Sequence, residues 1–311
     1  MLFEIALVVL PVFLLIAGGL ISSYLRLLNR QLVDNLAKFC QDFGIPFLLF
    51  FNLAILDLSS AFNIELLIFF YISMIFSFIM ISCVAYFIFK QPYNNSIILG
   101  FCAMFSNGVL LGLPISELAF GTKSLFINYT IIIGHAPICY LVGITFIEVA
   151  KIKHDSYLFG IKRSLKAILF NNLTIGILLG IGFNLFTFEF SPTSEELLKL
   201  STSWIIPISL FTMGGVLYHY RVSKNYKIPA AIISTSLLIQ PAVVYFLGSQ
   251  FSNIEIAYLR NAVIMAAMAP GLNAYFFANM YGECRDIVAT TILASTVLTI
   301  FSSTFWIYFL Y

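Results

Sequence analysis

Charge is what this 311-residue chain has least of: Asp, Glu, Lys and Arg together make up only 10% of it. That is well under half the share of a soluble domain, so a water-facing globular surface is excluded. The net charge is +2 and no basic run carries interleaved aromatics, which excludes a nucleic-acid footprint. Cysteine is sparse too. Cys40, Cys83, Cys102, Cys139 and Cys284 are scattered singly, so neither a disulfide framework nor a metal site follows. No Ser, His and acid arrangement, HExxH pair or phosphate-cradling glycine loop is present, so no enzyme and no cofactor is expected. The first residues lack the basic region of a secretory signal, and the first apolar stretch reads as a retained helix.

Hydrophobic length is abundant. Apolar residues are 61% of the chain and the mean hydropathy is +1.00. A bilayer core takes about 20 apolar residues per helix. Ten such stretches are separated by short polar breaks: Ile5 to Tyr24, Leu32 to Leu56, Ile64 to Phe89, Ser96 to Phe120, Ser124 to Val149, Ile168 to Phe188, Leu197 to Tyr218, Ile228 to Gly248, Ile256 to Tyr281 and Ile287 to Leu310. The expectation is an all-α membrane protein with ten transmembrane helices.

Alternating the breaks between two sides places Arg26, Arg30, Lys38, Lys90, Lys151, Lys153, Lys162, Arg163, Lys166, Arg221, Lys224, Lys227 and Arg285 together. Only Lys123, Lys199 and Arg260 fall on the other side, where the acids Asp57, Glu65, Glu189, Glu195, Glu196 and Glu255 also lie. Basic residues collect on the cytoplasmic side, so both termini are expected outside a cytoplasmic (inner) membrane.

The two halves of the chain superpose at a constant shift of 161 residues. Ile45-Pro46-x-x-Leu49-Phe50 falls on Ile206-Pro207-x-x-Leu210-Phe211, Gly19 on Gly180, Leu111 on Leu272 and Gly121 on Gly282. Residues 1–150 then form a first five-helix repeat, 151–167 a cytoplasmic linker and 168–311 a second repeat. Five is odd, so the second repeat is inverted, an architecture that recurs in secondary transporters.

The fourth helix carries Asn107-Gly108 near its centre and a second disruption at Gly112-x-Pro114; the ninth carries Ala269-Pro270-Gly271-Leu-Asn273 at the matching depth. Proline removes a donor and glycine loosens the backbone, so both helices are expected to break at the midplane. The breaks create two half-helix N-termini, near Gly108 and Gly271, whose partial positive charges suit an anion. Lys and Arg are missing at that depth. Asn107, Gly108, Pro114, Pro270, Gly271 and Asn273 are therefore the candidate substrate-binding residues.

At these residues the chain resembles the auxin efflux carrier family of the bile-acid/auxin/arsenite transporter superfamily, whose bacterial members include malonate and other organic-acid permeases. The resemblance rests on Ser106-Asn107-Gly-Val-Leu-Leu-Gly112-Leu-Pro114, Pro207-Ile-Ser-Leu-Phe-Thr-Met-Gly214-Gly215, Ala269-Pro270-Gly-Leu-Asn273-Ala-Tyr-Phe-Phe-Ala278-Asn-Met-Tyr281-Gly282 and Ser295-Thr296. It implies a scaffold of helices one, two, six and seven, and a transport domain of helices three to five and eight to ten that moves as an elevator, with helices four and nine crossing where the substrate is held. Plant-type members have proline where this chain has Ser106, which implies a less rigid first crossover. Many bacterial members have Asn-Pro where this chain has Asn171-Asn172, and the long cytoplasmic loop of some plant carriers is absent.

Three further residues are candidates for ion or proton coupling. Asp42 shares a helix face with Asp34 and Lys38, and is either a proton or sodium site or a structural partner of Lys38. His135 sits mid-helix, two residues before Pro137, and is either a neutral hydrogen-bonding group or a proton relay. Gln240 precedes Pro241 mid-helix, and either marks a kink or faces the transport path. Arg260 and Glu117 suit snorkelling or mutual pairing, and Gly18-Gly19 and Gly214-Gly215 suit close helix approach.

The expected function is a secondary active transporter moving a small organic anion or weak acid, with a proton or sodium as its driving ion. Membrane lipid and a second copy of the chain, as a homodimer, are the expected partners. A sodium-coupled symporter of a bulkier amphipathic anion, or a membrane receptor or scaffold without transport, stays open as an alternative.

Overall fold

The computed structural model describes residues 2–56, 63–151, 169–219, 223–251 and 254–311. The expected linker 151–167 lies outside the described residues apart from Lys151, as do the loop charges Asp57 and Arg221. Every element among the described residues is helical. In chain order these are α1 (Leu2–Tyr24), α2 (Arg30–Phe39), α3 (Ile45–Ala54), α4 (Ile64–Cys83), α5 (Tyr93–Met104), α6 (Leu113–Phe120), α7 (Lys123–Lys151) and α8 (Asn172–Leu185). They continue with α9 (Pro192–Ser203), α10 (Ile205–His219), α11 (Lys227–Ser234), α12 (Gln240–Gly248), α13 (Ile256–Ala266), α14 (Leu272–Tyr281) and α15 (Arg285–Leu310).

The helix starts follow capping chemistry. Asn29, Asn63 and Asn171 each accept a hydrogen bond from a first-turn amide through the side-chain oxygen, at 2.8–2.9 Å. Ser191 caps α9, whose first residue, Pro192, has no amide to leave unpaired. The stops of α6 and α14 are Gly121 and Gly282, at φ 83° and 79°, where a side chain would be strained.

Proline has a second, less obvious effect. Wide turns, closed by i→i+5 hydrogen bonds, occur at Cys40–Gly44, Gly108–Gly112 and Thr235–Ile239, and each ends two residues before a proline: Pro46, Pro114 and Pro241. A helical proline cannot donate to the carbonyl four residues back and its ring crowds that carbonyl. Widening the preceding turn relieves the crowding without ending the helix. The orphaned carbonyl before Pro241 is that of Leu237, and it accepts from Ser302 Oγ at 2.8 Å and Trp306 Nε1 at 2.9 Å. A fourth wide turn, Val84–Ile88, ends α4 shortly before Pro92. Pro11 and Pro137 lie inside α1 and α7, which continue past them.

Among the described residues, seven helical segments are long and apolar enough to cross a membrane: α1, α2–α3, α4 with its wide turn, α7, α9–α10, α11–α12 and α15. Shorter apolar helices are Gly108–Phe120, Asn172–Leu185 and Ile256–Ala266. The chain is a multi-pass helical membrane protein.

The helices divide into two compact units, and each unit draws on both halves of the chain. One comprises Pro11–Phe62 and Lys166–His219. Within it, glycines let backbones touch. A Cβ on Gly19 would lie 1.7 Å from the Phe211 carbonyl oxygen, and one on Gly214 would lie 1.9 Å from that of Ile16. Likewise a Cβ on Gly180 would lie 2.6 Å from the Phe50 carbonyl oxygen, and one on Gly176 would lie 2.3 Å from that of Pro46. Asn184 Nδ2 donates to the carbonyls of Leu53, Ala54 and Leu56, closing the C-terminal end of α3.

The other unit comprises Met1–Leu10, Asn63–Leu165 and Tyr220–Tyr311. Its core includes the fully buried Phe69, Phe70, Phe78, Phe101 and Phe277. Along one face of α15 the hydroxyls of Ser295, Thr299 and Ser303 each donate to the carbonyl four residues back, so a buried polar stripe satisfies itself.

Candidate functional site

Two helices of this second unit are interrupted. α5 ends at Met104, and the chain turns helical again at Gly108; α13 ends at Ala266, and α14 begins at Leu272. The two intervening strips run antiparallel and pair at Ser106 and Pro270. The Asn107 amide donates to the Ala269 carbonyl at 2.8 Å and the Gly271 amide to the Phe105 carbonyl at 2.9 Å. These bonds flank the Ser106–Pro270 pair, so an amide at position 270 would point away from its neighbour. Proline is therefore accommodated there without losing a bond.

Non-helical backbone at membrane depth is tolerated only where protein or a wet cavity satisfies it. Here protein does so. The Ser106 carbonyl accepts from the Gly108 amide at 2.9 Å and contacts His135 Nε2 at 3.1 Å, and the Ala103 carbonyl accepts from Ser236 Oγ at 3.2 Å.

Beyond the pairing the resumed helices present their N-termini. Asn107 caps the first, its Oδ1 accepting from the Leu110 amide at 3.3 Å. The second starts at Gly271 with no side-chain cap. Asn273, in the first turn of α14, accepts from the Tyr140 hydroxyl at 3.3 Å and is half-buried. Aromatic rings wall the strips: Phe101 and Phe277 stack with centroids 3.9 Å apart, and Phe105 packs edge-on to His135 at 4.8 Å. Gly143 makes room for that stack, since a Cβ there would lie 2.6 Å from Phe101 and 2.8 Å from Phe277. Gly108 and Gly112 similarly accommodate Met265 of α13.

The crossing thus joins Asn107, Gly108, Pro270, Gly271 and Asn273. Pro114 stands off it, in the first turn of α6, where it accounts for the wide turn that follows the break. His135 reaches the crossing through the Ser106 carbonyl, and its Nδ1 faces Cys139 Sγ at 4.0 Å. Gln240 is completely buried, its amide nitrogen directed at Met74 Sδ. Asp42 belongs to the other unit, is exposed, and accepts a hydrogen bond from Asn172 at 3.1 Å. Asp34 pairs with Arg30 at 3.7 Å. Arg260 donates to the Leu310 carbonyl at 2.8 Å and lies over the Tyr311 ring. Tyr140 and the aromatic wall escape the sequence reading, because an aromatic residue inside an apolar helix carries no spacing signal of its own.

The family model described as membrane transport protein matches residues 5–307, nearly the whole chain. The chain belongs to this family. That is the auxin efflux carrier resemblance carried by the motifs of the two broken helices. A relative in Rhizobium meliloti (strain 1021), named "Putative malonate transporter", is 23% identical over 146 residues. That match covers 46% of this chain and 45% of the relative's length, so this chain spans less than half of the relative it matches.

Proposed function

We propose that this transporter is a secondary active carrier of a small organic anion, binding it where the two broken helices cross. The observation that carries the reading is the antiparallel pairing of Ser106 with Pro270, which sets two helix N-termini and the amides of Asn107 and Asn273 about one crossing. A helix N-terminus attracts negative charge through aligned peptide dipoles and first-turn amides. A carboxylate bound there needs no fixed base. The name of the Rhizobium relative favours a dicarboxylate of malonate size.

The chain is read as ten spans in two inverted repeats, 1–150 and 168–311, joined by the cytoplasmic segment 151–167, with both termini outside the inner membrane. The glycine contacts support the repeat. Gly19 on the Phe211 carbonyl and Gly180 on the Phe50 carbonyl are equivalent under the 161-residue shift, as are the helix stops Gly121 and Gly282. The two compact units support this reading: one holds the crossing together with Met1–Leu10, and the other, Pro11–Phe62 with Lys166–His219, holds the rest of helix one and helices two, six and seven. We read the first as the moving transport domain and the second as the scaffold of an elevator.

Thermal unfolding of the purified protein, titrated with malonate, monocarboxylates, aromatic weak acids and neutral sugars, tests the anion preference. Saturable stabilisation by carboxylates is expected. Stabilisation by neutral sugars alone contradicts the reading.

A further inference from the structure

About two turns from the crossing lies a second set of polar groups that the crossing does not use. Ser116 on α6, Asn128 on α7 and Asn261 on α13 are buried to 0%, 0% and 2% exposure. The Ser116 hydroxyl, both amide atoms of Asn128 and the Asn261 carbonyl oxygen have no hydrogen-bond partner. Unsatisfied groups inside a membrane protein are costly, so three in one place call for a ligand.

The helix registers bring them together. Met265 contacts the positions a Cβ would take on both Gly108 and Gly112, and Ile132 approaches that on Gly108. α13 runs toward the crossing whereas α6 runs away from it. One turn beyond the Met265 contact, Asn261 and Ser116 therefore face each other. α7 returns antiparallel to α6, so Asn128, one turn before Ile132, falls level with Gly112.

The free atoms are mostly acceptors. Asn261 Nδ2 already donates to the Ala257 carbonyl at 2.8 Å, which turns its oxygen inward. Neutral oxygens at the end of short side chains suit a hard cation better than an anion.

We propose that Ser116, Asn128 and Asn261 form a binding site for a monovalent alkali cation, sodium in the first instance, on the α6–α7–α13 side of the crossing. The cation would tie the resumed half of one broken helix to the incoming half of the other. This holds whatever anion the crossing takes.

Thermal unfolding of the purified full chain in nanodiscs, with sodium chloride against choline chloride at equal ionic strength, tests it. Sodium should raise the midpoint saturably where choline does not. Asn128→Ala should raise the half-saturating sodium concentration at least tenfold, and Asn261→Asp, which adds a charge at constant size, should lower it. If Asn128→Ala fails to fold, the Asn261→Asp shift decides. Equal effects of sodium and choline, as expected if water alone fills the space, overturn the proposal. So does a sodium response unchanged in Asn261→Asp.

Discussion

His135 Nε2 lies 3.1 Å from the Ser106 carbonyl oxygen, tying α7 to the first crossover strip. A carbonyl only accepts, so Nε2 carries the proton and Nδ1 is left toward Cys139. Replacing His135 by Phe keeps the ring against Phe105 and leaves the Gly108 amide on the carbonyl, and is expected to cost about 0.5–1.5 kcal/mol. His135→Gln, which keeps an N–H donor, should recover part of that loss. Unfolding midpoints of the two variants check the order.

The glycines divide by what they face. Gly19 meets a backbone oxygen that has no freedom to move, whereas Gly108 meets the flexible end of Met265. Gly19→Ala should therefore abolish or severely reduce folded protein. Gly108→Ala should cost about 1–3 kcal/mol, the usual range for overpacking, and be rescued by Met265→Ala. Yield by size-exclusion chromatography and a double-mutant cycle on stability separate the two behaviours.

The Leu237 carbonyl has two donors because Pro241 cannot supply the helical one. Ser302→Ala alone leaves Trp306 in place and should cost about 0.5–1.5 kcal/mol. Ser302→Ala with Trp306→Phe should cost more than the sum of the single changes, since the carbonyl is then unsatisfied. Adding Pro241→Ala, which restores an amide, should reduce the penalty. Stability measured across this set reports whether the wide turn is a consequence of proline.

These relationships show what a linear pattern carries. The breaks in the fourth and ninth helices are legible because Gly108, Pro270 and Gly271 are poor helix interiors, and the matching shift marks them as partners. The wide turn at Cys40–Gly44 is harder to read: Pro46 signals a disturbance but not that the helix absorbs it by widening one turn. The interruption at Trp204 between α9 and α10 has no proline or glycine at the break itself. Least legible are the partners. Nothing local distinguishes His135, which reaches a carbonyl 29 positions away, from a histidine turned elsewhere on the same helix. The same holds for Tyr140 and Asn273, which are joined only by the tertiary packing of α7 on the crossing.

Counterflow in proteoliposomes tests the central account most directly. Liposomes loaded with unlabelled malonate should accumulate external labelled malonate, or another small carboxylate, transiently and saturably. Asn107→Ala and Asn273→Ala should each raise the half-saturating concentration about tenfold, as expected for loss of roughly 1.4 kcal/mol of binding. Exchange of carboxylates with both variants matching the unsubstituted protein would contradict the crossing as the site. Failure of every carboxylate to exchange would contradict the organic-anion reading.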